Sequence, residues 1–232
     1  MNSAVVPAAC IFDMDGLMLD TERPAIRFWL MAAAEYGYPM DESIPVSTVG
    51  MDEGDTRRRV MEACGPDFPY EAVRARLGVL YAESMEREGV GRKPGLEYLL
   101  DQLDGLGIIL AVATSTPRAQ AIARLDRAGI LDRFKALACG DEVSRGKPAP
   151  DIYLLAADRL GMDPVDCVGF EDSDPGLRSL ASAGIRSVFV KDMADPSPET
   201  LSTVWRSCAT LRDAAGLFQV KEGLGPHPRR AR

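Results

Sequence analysis

The chain has 232 residues, 46% of them hydrophobic, which is enough for one sizeable domain or a core with a smaller appendage. Lys and Arg total 27 against 35 Asp and Glu, a formal charge of −8 that disfavours a general binder of nucleic acid or of anionic membranes. The only histidine, His227, lies in the tail Gly-Pro-His-Pro-Arg-Arg-Ala-Arg, which reads as disordered, so Ser-His-Asp and Cys-His catalysis and most zinc sites are excluded and acid–base work falls to carboxylates, lysine or tyrosine.

The first element is the apolar run Ala8 to Phe12, a strand of the kind buried on both faces, and it ends in Asp13-Met14-Asp15-Gly16. Such strands deliver reactive groups at their carboxyl ends. Two carboxylates this close repel unless a cation stands between them, most simply Mg²⁺, and with that charge neutralised an aspartate can attack phosphorus while its neighbour moves protons. A solvated Asp-Gly turn accounts for this one stretch equally well.

Thr21 followed by Pro24 reads as the cap and first turn of a helix carrying Ile26, Trp29, Leu30 and Ala33 on one face and stopping at Gly37. Helices are expected again over 52–63 and 70–88, with no buried strand between Asp20 and Arg92. Val90 to Gly95 is a composition break and a plausible hinge. Beyond it helices (96–103, 117–127, 150–160, 175–183) alternate with apolar runs (108–113, 136–139, 165–170, 186–190), the signature of a parallel sheet with helices on both faces. The expected architecture is an α/β doubly wound, Rossmann-like catalytic core formed by 1–19 and 94–232, with 20–93 inserted as an all-helical cap domain able to close over the strand ends as a lid.

Three later strand ends or turns carry polar groups suited to phosphate chemistry. Thr114-Ser115-Thr116-Pro117 offers hydroxyls and backbone N–H groups at a helix entrance, although Ser and Thr are also common caps. Gly146-Lys147-Pro148 holds a lysine between a glycine and a proline; Gly140 to Lys147 is not a P-loop, since its glycines have five residues between them and Pro148 follows the lysine. A positive charge there would favour the ionised form of Asp13. Glu171-Asp172-Ser173-Asp174 is a second acidic cluster that can complete an oxygen shell begun by Asp13, with Asp174 equally readable as a helix cap.

Taken together, Phe12-Asp13-Met14-Asp15-Gly16, Thr114, Gly146-Lys147-Pro148 and Gly169-Phe170-Glu171-Asp172-Ser173 resemble, in order, the four motifs of the haloacid dehalogenase-like hydrolase superfamily, over residues 8–190. The resemblance is greatest to the branch with a helical cap after the first motif, which holds small-metabolite phosphatases, phosphoglycolate phosphatases among them, and beta-phosphoglucomutase. It implies that Asp13 attacks phosphorus and that Asp15 protonates the leaving oxygen and then activates water against the aspartyl-phosphate. It also implies that Asp13, the Asp15 carbonyl and Asp172 hold Mg²⁺ with Glu171 in support, that Thr114 and the Ser115 amide hold phosphoryl oxygens, and that Lys147 balances charge.

The resemblance therefore implies a Mg²⁺-dependent phosphatase acting on a small phosphorylated metabolite such as a sugar phosphate. The alternative is a beta-phosphoglucomutase-like mutase, against which stand Ala25 and Glu53, at positions where that pattern has a histidine and an arginine, and Pro24. A phospho-acceptor receiver domain is much shorter and lacks a helical insertion, and no catalytic position is missing that would recommend a dead binding module. Glu22, Arg23, Trp29, Glu53 and Arg57 are the candidate substrate contacts of the cap, and the run Arg57-Arg58-Arg59 reads as a solvated face or an anion grip.

Five cysteines, an odd count without C-x-x-C spacing, with Cys10, Cys139 and Cys167 in strand-like runs, point to buried free thiols and a reducing cytoplasm. The N-terminus shows no basic n-region, and no stretch has the length of a membrane span. A monomer without nucleic-acid or membrane partners is expected.

Overall fold

The computed structural model describes residues 6–51, 53–193 and 195–218. Strand β1 (Ala9–Phe12) is fully buried, and its side chains divide by the two-residue period of a strand. Cys10 and Phe12 enter one hydrophobic cluster and Ala9 and Ile11 the other, which is why this strand can tolerate no polar residue before Asp13.

The chain then leaves the sheet for helices α1 (Glu22–Glu35), α2 (Ser43–Val46), α3 (Glu53–Cys64) and α4 (Tyr70–Glu88). It returns through α5 (Leu96–Gly105), β2 (Ile109–Thr114), α6 (Arg118–Arg127), β3 (Ala136–Cys139), α7 (Asp151–Leu160), β4 (Cys167–Glu171), α8 (Asp174–Ser182), β5 (Arg186–Val190), α9 (Pro198–Thr203), β6 (Arg206–Cys208) and α10 (Leu211–Ala215). The six strands form one parallel sheet in the order β3-β2-β1-β4-β5-β6. The strand order reverses at β1, and the crevice outside the carboxyl ends of the strands on either side of such a switch is where α/β sheets place their ligands.

Phe12 pairs with Phe170 of β4 in register, and the two rings stack at 4.5 Å with an interplanar angle of 3°. This fixes the relative height of β1 and β4. The next residue on each strand, Asp13 and Glu171, is therefore delivered at the same rim.

A third hydrophobic cluster is built only from the α1–α4 segment: Phe28, Trp29, Ala32, Ala33, Val60, Phe68, Tyr70, Val73, Leu77 and Leu80. The connections of that segment to the sheet run side by side. Asp20 N–H donates to the Gly91 carbonyl at 2.8 Å, Lys93 N–H to the Met18 carbonyl at 2.8 Å, and Leu19 and Arg92 form an antiparallel bridge. The Asp192 side chain anchors both connections, one oxygen accepting from Arg23 at 3.0 Å and from Lys93 at 2.5 Å.

Several sequence expectations are corrected. Thr21 occupies the position before α1 but does not cap it: its backbone is itself helical (φ −99°, ψ −24°), which keeps its hydroxyl away from the first free N–H groups. The cap of α8 is Ser173, whose hydroxyl accepts from Gly176 N–H; Asp174 lies in the first turn and instead accepts from Ser197 N–H at 2.9 Å. The run expected over 165–170 starts as a strand only at Cys167, because Pro164–Asp166 forms a 3₁₀ turn capped by Asp163. The short β6, α9 and α10 lie beyond the expected elements, and β6 extends the sheet as its edge strand. The five cysteines are free thiols, with Cys10, Cys139 and Cys167 buried. Asp52, the expected start of the second helix, and His227 with its tail lie outside the described residues. Among the described residues no helix is long and apolar enough to cross a membrane.

Candidate active site

Asp13 leaves the end of β1 and Glu171 ends β4, with Asp172 following; the three carboxyls are buried and each offers an oxygen within 4.8 Å of the others. One buried ammonium is bonded to two of them. Lys147 donates to Asp13 Oδ1 at 2.5 Å and to Glu171 Oε1 at 2.6 Å. It reaches them from the turn before α7, and its peptide bond to Pro148 is cis.

Glu171 is fully engaged by the protein. Its Oε1 also accepts from the Tyr153 phenol at 2.8 Å, and its Oε2 accepts from Asp172 N–H at 3.0 Å, Ser173 N–H at 3.0 Å and the Ser173 hydroxyl at 2.9 Å. Gly176 makes room for it, since a Cβ there would collide with the Glu171 carboxylate. By contrast, no hydrogen bond reaches the Asp172 carboxylate or Asp13 Oδ2 among the described residues. The Asp172 carboxylate packs where a Cβ on Gly16 would stand, and Gly16 takes φ +86° there.

The electrostatics follow from burial. Burial pushes Asp13 well up, more than Lys147 pulls it down, and Glu171 and Asp15 add to the rise. As expected, Lys147 favours the ionised form of Asp13, but burial outweighs it. Asp172 is also raised, by burial and then by Glu171 and Asp13. Burial draws Lys147 down, yet Asp13 and Glu171 outweigh it and hold the ammonium above its ordinary value. Three acids share one cation, so a further positive charge is what this pocket lacks. A hard divalent cation fits the all-oxygen donor set: Asp13 Oδ2 and Asp172 are free to ligate, and among the described residues the Asp15 carbonyl makes no backbone hydrogen bond. Glu171, with both oxygens filled, fits better as the group that seats Asp172 and Lys147 than as a ligand.

Asp15 stands at the other side of the site. Its Oδ2 accepts from the Thr116 hydroxyl at 2.7 Å and, weakly, from the Thr114 hydroxyl at 3.5 Å; its Oδ1 accepts from Arg124 NH1 at 2.6 Å. The Arg124 guanidinium lies 4.9 Å over the Tyr81 ring, which α4 brings to this seam. Thr114 is buried at the end of β2, accepting from Thr116 N–H at 3.1 Å, and Ser115 is exposed beside it. Gly140 lets the Ser115 backbone approach.

Residues 7–184 match the sequence profile of the haloacid dehalogenase-like hydrolases. The chain belongs to this family. A phosphorylated carbohydrates phosphatase of Thermotoga maritima is 35% identical over 184 residues, 78% of this chain and 83% of its own. The beta-phosphoglucomutase of Bacillus subtilis is 29% identical over 78% of this chain and 82% of its own. The crystal structure of CbbY from Rhodobacter sphaeroides in complex with phosphate superposes with a TM-score of 0.75 at 25% identity, covering 89% of this chain and 96% of that one.

In this haloacid dehalogenase-like hydrolase the residues singled out from the sequence fall into two adjoining groups: Asp13, Lys147, Glu171 and Asp172 in one, and Asp15 and Thr114, with Ser115 beside them, in the other. The cap candidates do not gather. Glu53 accepts from Tyr70 at 2.8 Å and from Arg74 at 2.8 Å, inside the α1–α4 segment; Trp29 is buried there, and Arg57 pairs with Glu71 at 3.5 Å. Arg58 pairs with Asp55 and Arg59 with Ser47, so the arginine run is a surface face with local partners. Arg23 is held by Asp20 and Asp192. Glu22 alone stays beside the site, half-buried, pushed up to about 7 by burial and by Asp15 and Asp192. Sequence reasoning missed Thr116, Arg124 and Tyr153; only the second threonine of Thr114-Ser115-Thr116 carried a signal.

Proposed function

We propose that this hydrolase is a Mg²⁺-dependent phosphatase of small phosphorylated metabolites, working through an aspartyl-phosphate on Asp13. The observation that carries the reading is the buried triad of Asp13, Glu171 and Asp172 with Lys147 bonded to two of its members. Asp13, the Asp15 carbonyl and Asp172 would hold Mg²⁺, which would neutralise charge and let a phosphoryl dianion approach a carboxylate.

Asp13 is the nucleophile: Lys147 fixes its carboxylate through one oxygen, and the carboxylate forms the bond to phosphorus as the alcohol oxygen leaves. Thr114, the Ser115 amide and Lys147 hold the phosphoryl oxygens in place, so that positioning and charge carry most of the catalysis. Asp15 gives its proton to the departing alcohol and then takes one from the water that cleaves the aspartyl-phosphate, with Thr116 and Arg124 setting its orientation. Residues 20–93, with their own hydrophobic cluster, serve as the cap that limits substrate size, and residues 1–19 and 94–232 as the catalytic core. The free thiols suit a reducing cytoplasm.

The relative of Thermotoga maritima, named for phosphorylated carbohydrates, supports the substrate class. The relative named beta-phosphoglucomutase keeps a mutase as the second reading; against it, Glu53 is tied to Arg74 and Tyr70 rather than offering a cation to a second phosphate. The deciding experiment is phosphate release from a panel of small phosphate monoesters with Mg²⁺ or with chelator. Release that requires the metal supports the phosphatase; glucose 1-phosphate isomerised in the presence of a bisphosphate, without release, would transfer the assignment to the mutase.

A further inference from the structure

Asp15 and the α1–α4 segment meet through one side chain. Arg124, on α6, is mostly buried and uses a single nitrogen: NH1 donates to Asp15 Oδ1 at 2.6 Å and to the Thr116 hydroxyl at 3.3 Å, while Nε finds no acceptor among the described residues. An arginine held against a carboxylate by both prongs of its fork is fixed in its plane. One held at a single nitrogen can turn about that bond, so its plane is set by whatever covers its face.

The Tyr81 ring covers it, 4.9 Å from the guanidinium carbon. Tyr81 belongs to α4, and its place is settled inside the α1–α4 segment. Its ring meets Phe28 of α1 edge to face at 5.9 Å, with 81° between the planes, and its phenol is hydrogen-bonded to the Thr21 side chain at the entrance to that segment. The hydrophobic cluster of α1–α4 takes no residue from the sheet or from the helices around it. The ring therefore moves with the segment, whereas Asp15 and Thr116 follow β1 and β2. Two further contacts of the segment, Arg23 with Asp192 and Gly50 against Ser173, bypass Asp15, and Glu22 stands near it without a hydrogen bond among the described residues.

We infer that Tyr81 is a positioning residue acting through Arg124: the seated α1–α4 segment sets the guanidinium plane that holds the Asp15 carboxylate, so proton transfer at the leaving oxygen depends on a ring carried by the other part of the molecule. Withdrawing the ring leaves a guanidinium tethered by one nitrogen and an acid–base carboxyl free to rotate. Asp13 can still attack, but the alcohol oxygen must leave without its proton.

The inference rests on the phosphatase reading above, and the test separates the two. An alcohol oxygen needs a proton as its bond to phosphorus breaks, whereas 4-nitrophenolate leaves without one, so misplacing Asp15 falls on alkyl esters. With Mg²⁺ present, kcat/KM is measured for 4-nitrophenyl phosphate, for benzyl phosphate, an alkyl ester of similar size, and for the fastest alkyl ester of the panel above. The proteins are the native chain, Tyr81→Leu, Tyr81→Met, Tyr81→Phe, Arg124→Met and the double variant Tyr81→Leu with Arg124→Met.

In Arg124→Met the alkyl-to-nitrophenyl ratio should fall about tenfold or more, part of what a general acid supplies. Tyr81→Leu and Tyr81→Met should lower it about fivefold or more, while Tyr81→Phe, which keeps the face, should stay within about twofold of native. The double variant should fall no further than Arg124→Met alone. The ratio cancels any change in the folded fraction, and two ring-free variants keep the test open if one does not fold. Equal losses on alkyl and nitrophenyl esters without the ring would mean that Tyr81 only packs. That result, an unmoved ratio in Arg124→Met, or additive losses in the double variant overturns the inference while leaving the phosphatase intact. No release from any ester by the native protein overturns both.

Discussion

The two sides of this site differ in how far the protein answers its own polar groups. Around Lys147 and Glu171 each charged atom that is bonded is bonded by the chain: Glu171 alone accepts from Lys147, Tyr153, Asp172 N–H, Ser173 N–H and the Ser173 hydroxyl. Around Asp15 the bonds come from the Thr116 hydroxyl and Arg124, whose Nε has no partner among the described residues. The first side is a fixed charge distribution whose one deficit is positive charge. The second leaves one donor of Arg124 unanswered. Chemistry common to a family needs the former.

The contrast can be broken most directly at the nucleophile. Asp13→Asn keeps the shape and removes the attacking charge, so phosphate release in the presence of Mg²⁺ should fall by about 10³-fold or more, a barrier increase of roughly 4 kcal/mol; a residual rate above a tenth of native would refute the assignment of Asp13. Removing the fixed cation should cost stability more than anything else on this side. Lys147→Met leaves Asp13 and Glu171 buried without their partner, and urea unfolding should show a loss of about 3 to 5 kcal/mol, or a smaller one if Mg²⁺ is present to take over part of the charge.

Metal supply tests the charge deficit itself. If Asp13 and Asp172 await a divalent cation, adding Mg²⁺ at a hundred times its dissociation constant should stabilise the fold by about 2.7 kcal/mol, read as a rise in thermal midpoint that chelator reverses. In Asp172→Asn the rise should shrink or vanish.

Gly176→Ala probes the seat of Glu171 without touching a charge. The added methyl drives against the carboxylate, and a loss of about 1 to 3 kcal/mol together with weaker Mg²⁺ stabilisation should follow. An unchanged protein would mean that Glu171 can shift freely, contrary to its five bonds.

The smallest effect lies away from the site and serves as a control. Glu142 is held down at about 2 by its hydrogen bonds with Arg159, with the Cys139 N–H and Arg118 adding to the effect. A carboxyl lowered on folding contributes stability above its unfolded value of about 4.3, and that contribution is lost as pH falls toward 2. Glu142→Gln should therefore flatten the acid limb of the stability curve between about pH 4 and 2, measured by urea unfolding, and leave phosphate release at neutral pH alone.

What the sequence disclosed follows the same division. Asp13, Thr114 and Glu171 with Asp172 are visible because each ends or directly follows an apolar run, and a strand end is a place that a pattern can locate. Arg124 is not visible: it sits in Arg-Ala-Gln-Ala-Ile-Ala-Arg, where an arginine on an amphipathic helix reads as a solvated residue until the Tyr81 ring and Asp15 are seen to flank it. Tyr153 reads as core for the same reason, and most of it is core, with only the phenol oxygen reaching Glu171. Thr21 was misread because the residue type suits a cap while its own backbone angles do not. The edge strand Arg206-Ser207-Cys208 lacks the apolar run that marked the others, since it is half-exposed and paired on one side only. Local pattern therefore reports where the sheet ends, while contacts between distant helices stay hidden from it.

The chain leaves the sheet at Asp20 and is back at Gly91, and a single hydrogen bond of 2.8 Å closes that gap. To β1 and α5, everything from Thr21 to Val90 is topologically one turn. The cost of closing a loop grows only with the logarithm of its length, about 0.6 kcal/mol for each doubling, so the sheet is almost indifferent to how much is threaded through that opening. The helices above the strand ends can then be lengthened, exchanged or rebuilt in descent while the chemistry beneath them stays as it is. A protein arranged this way can acquire a new diet without relearning how to digest.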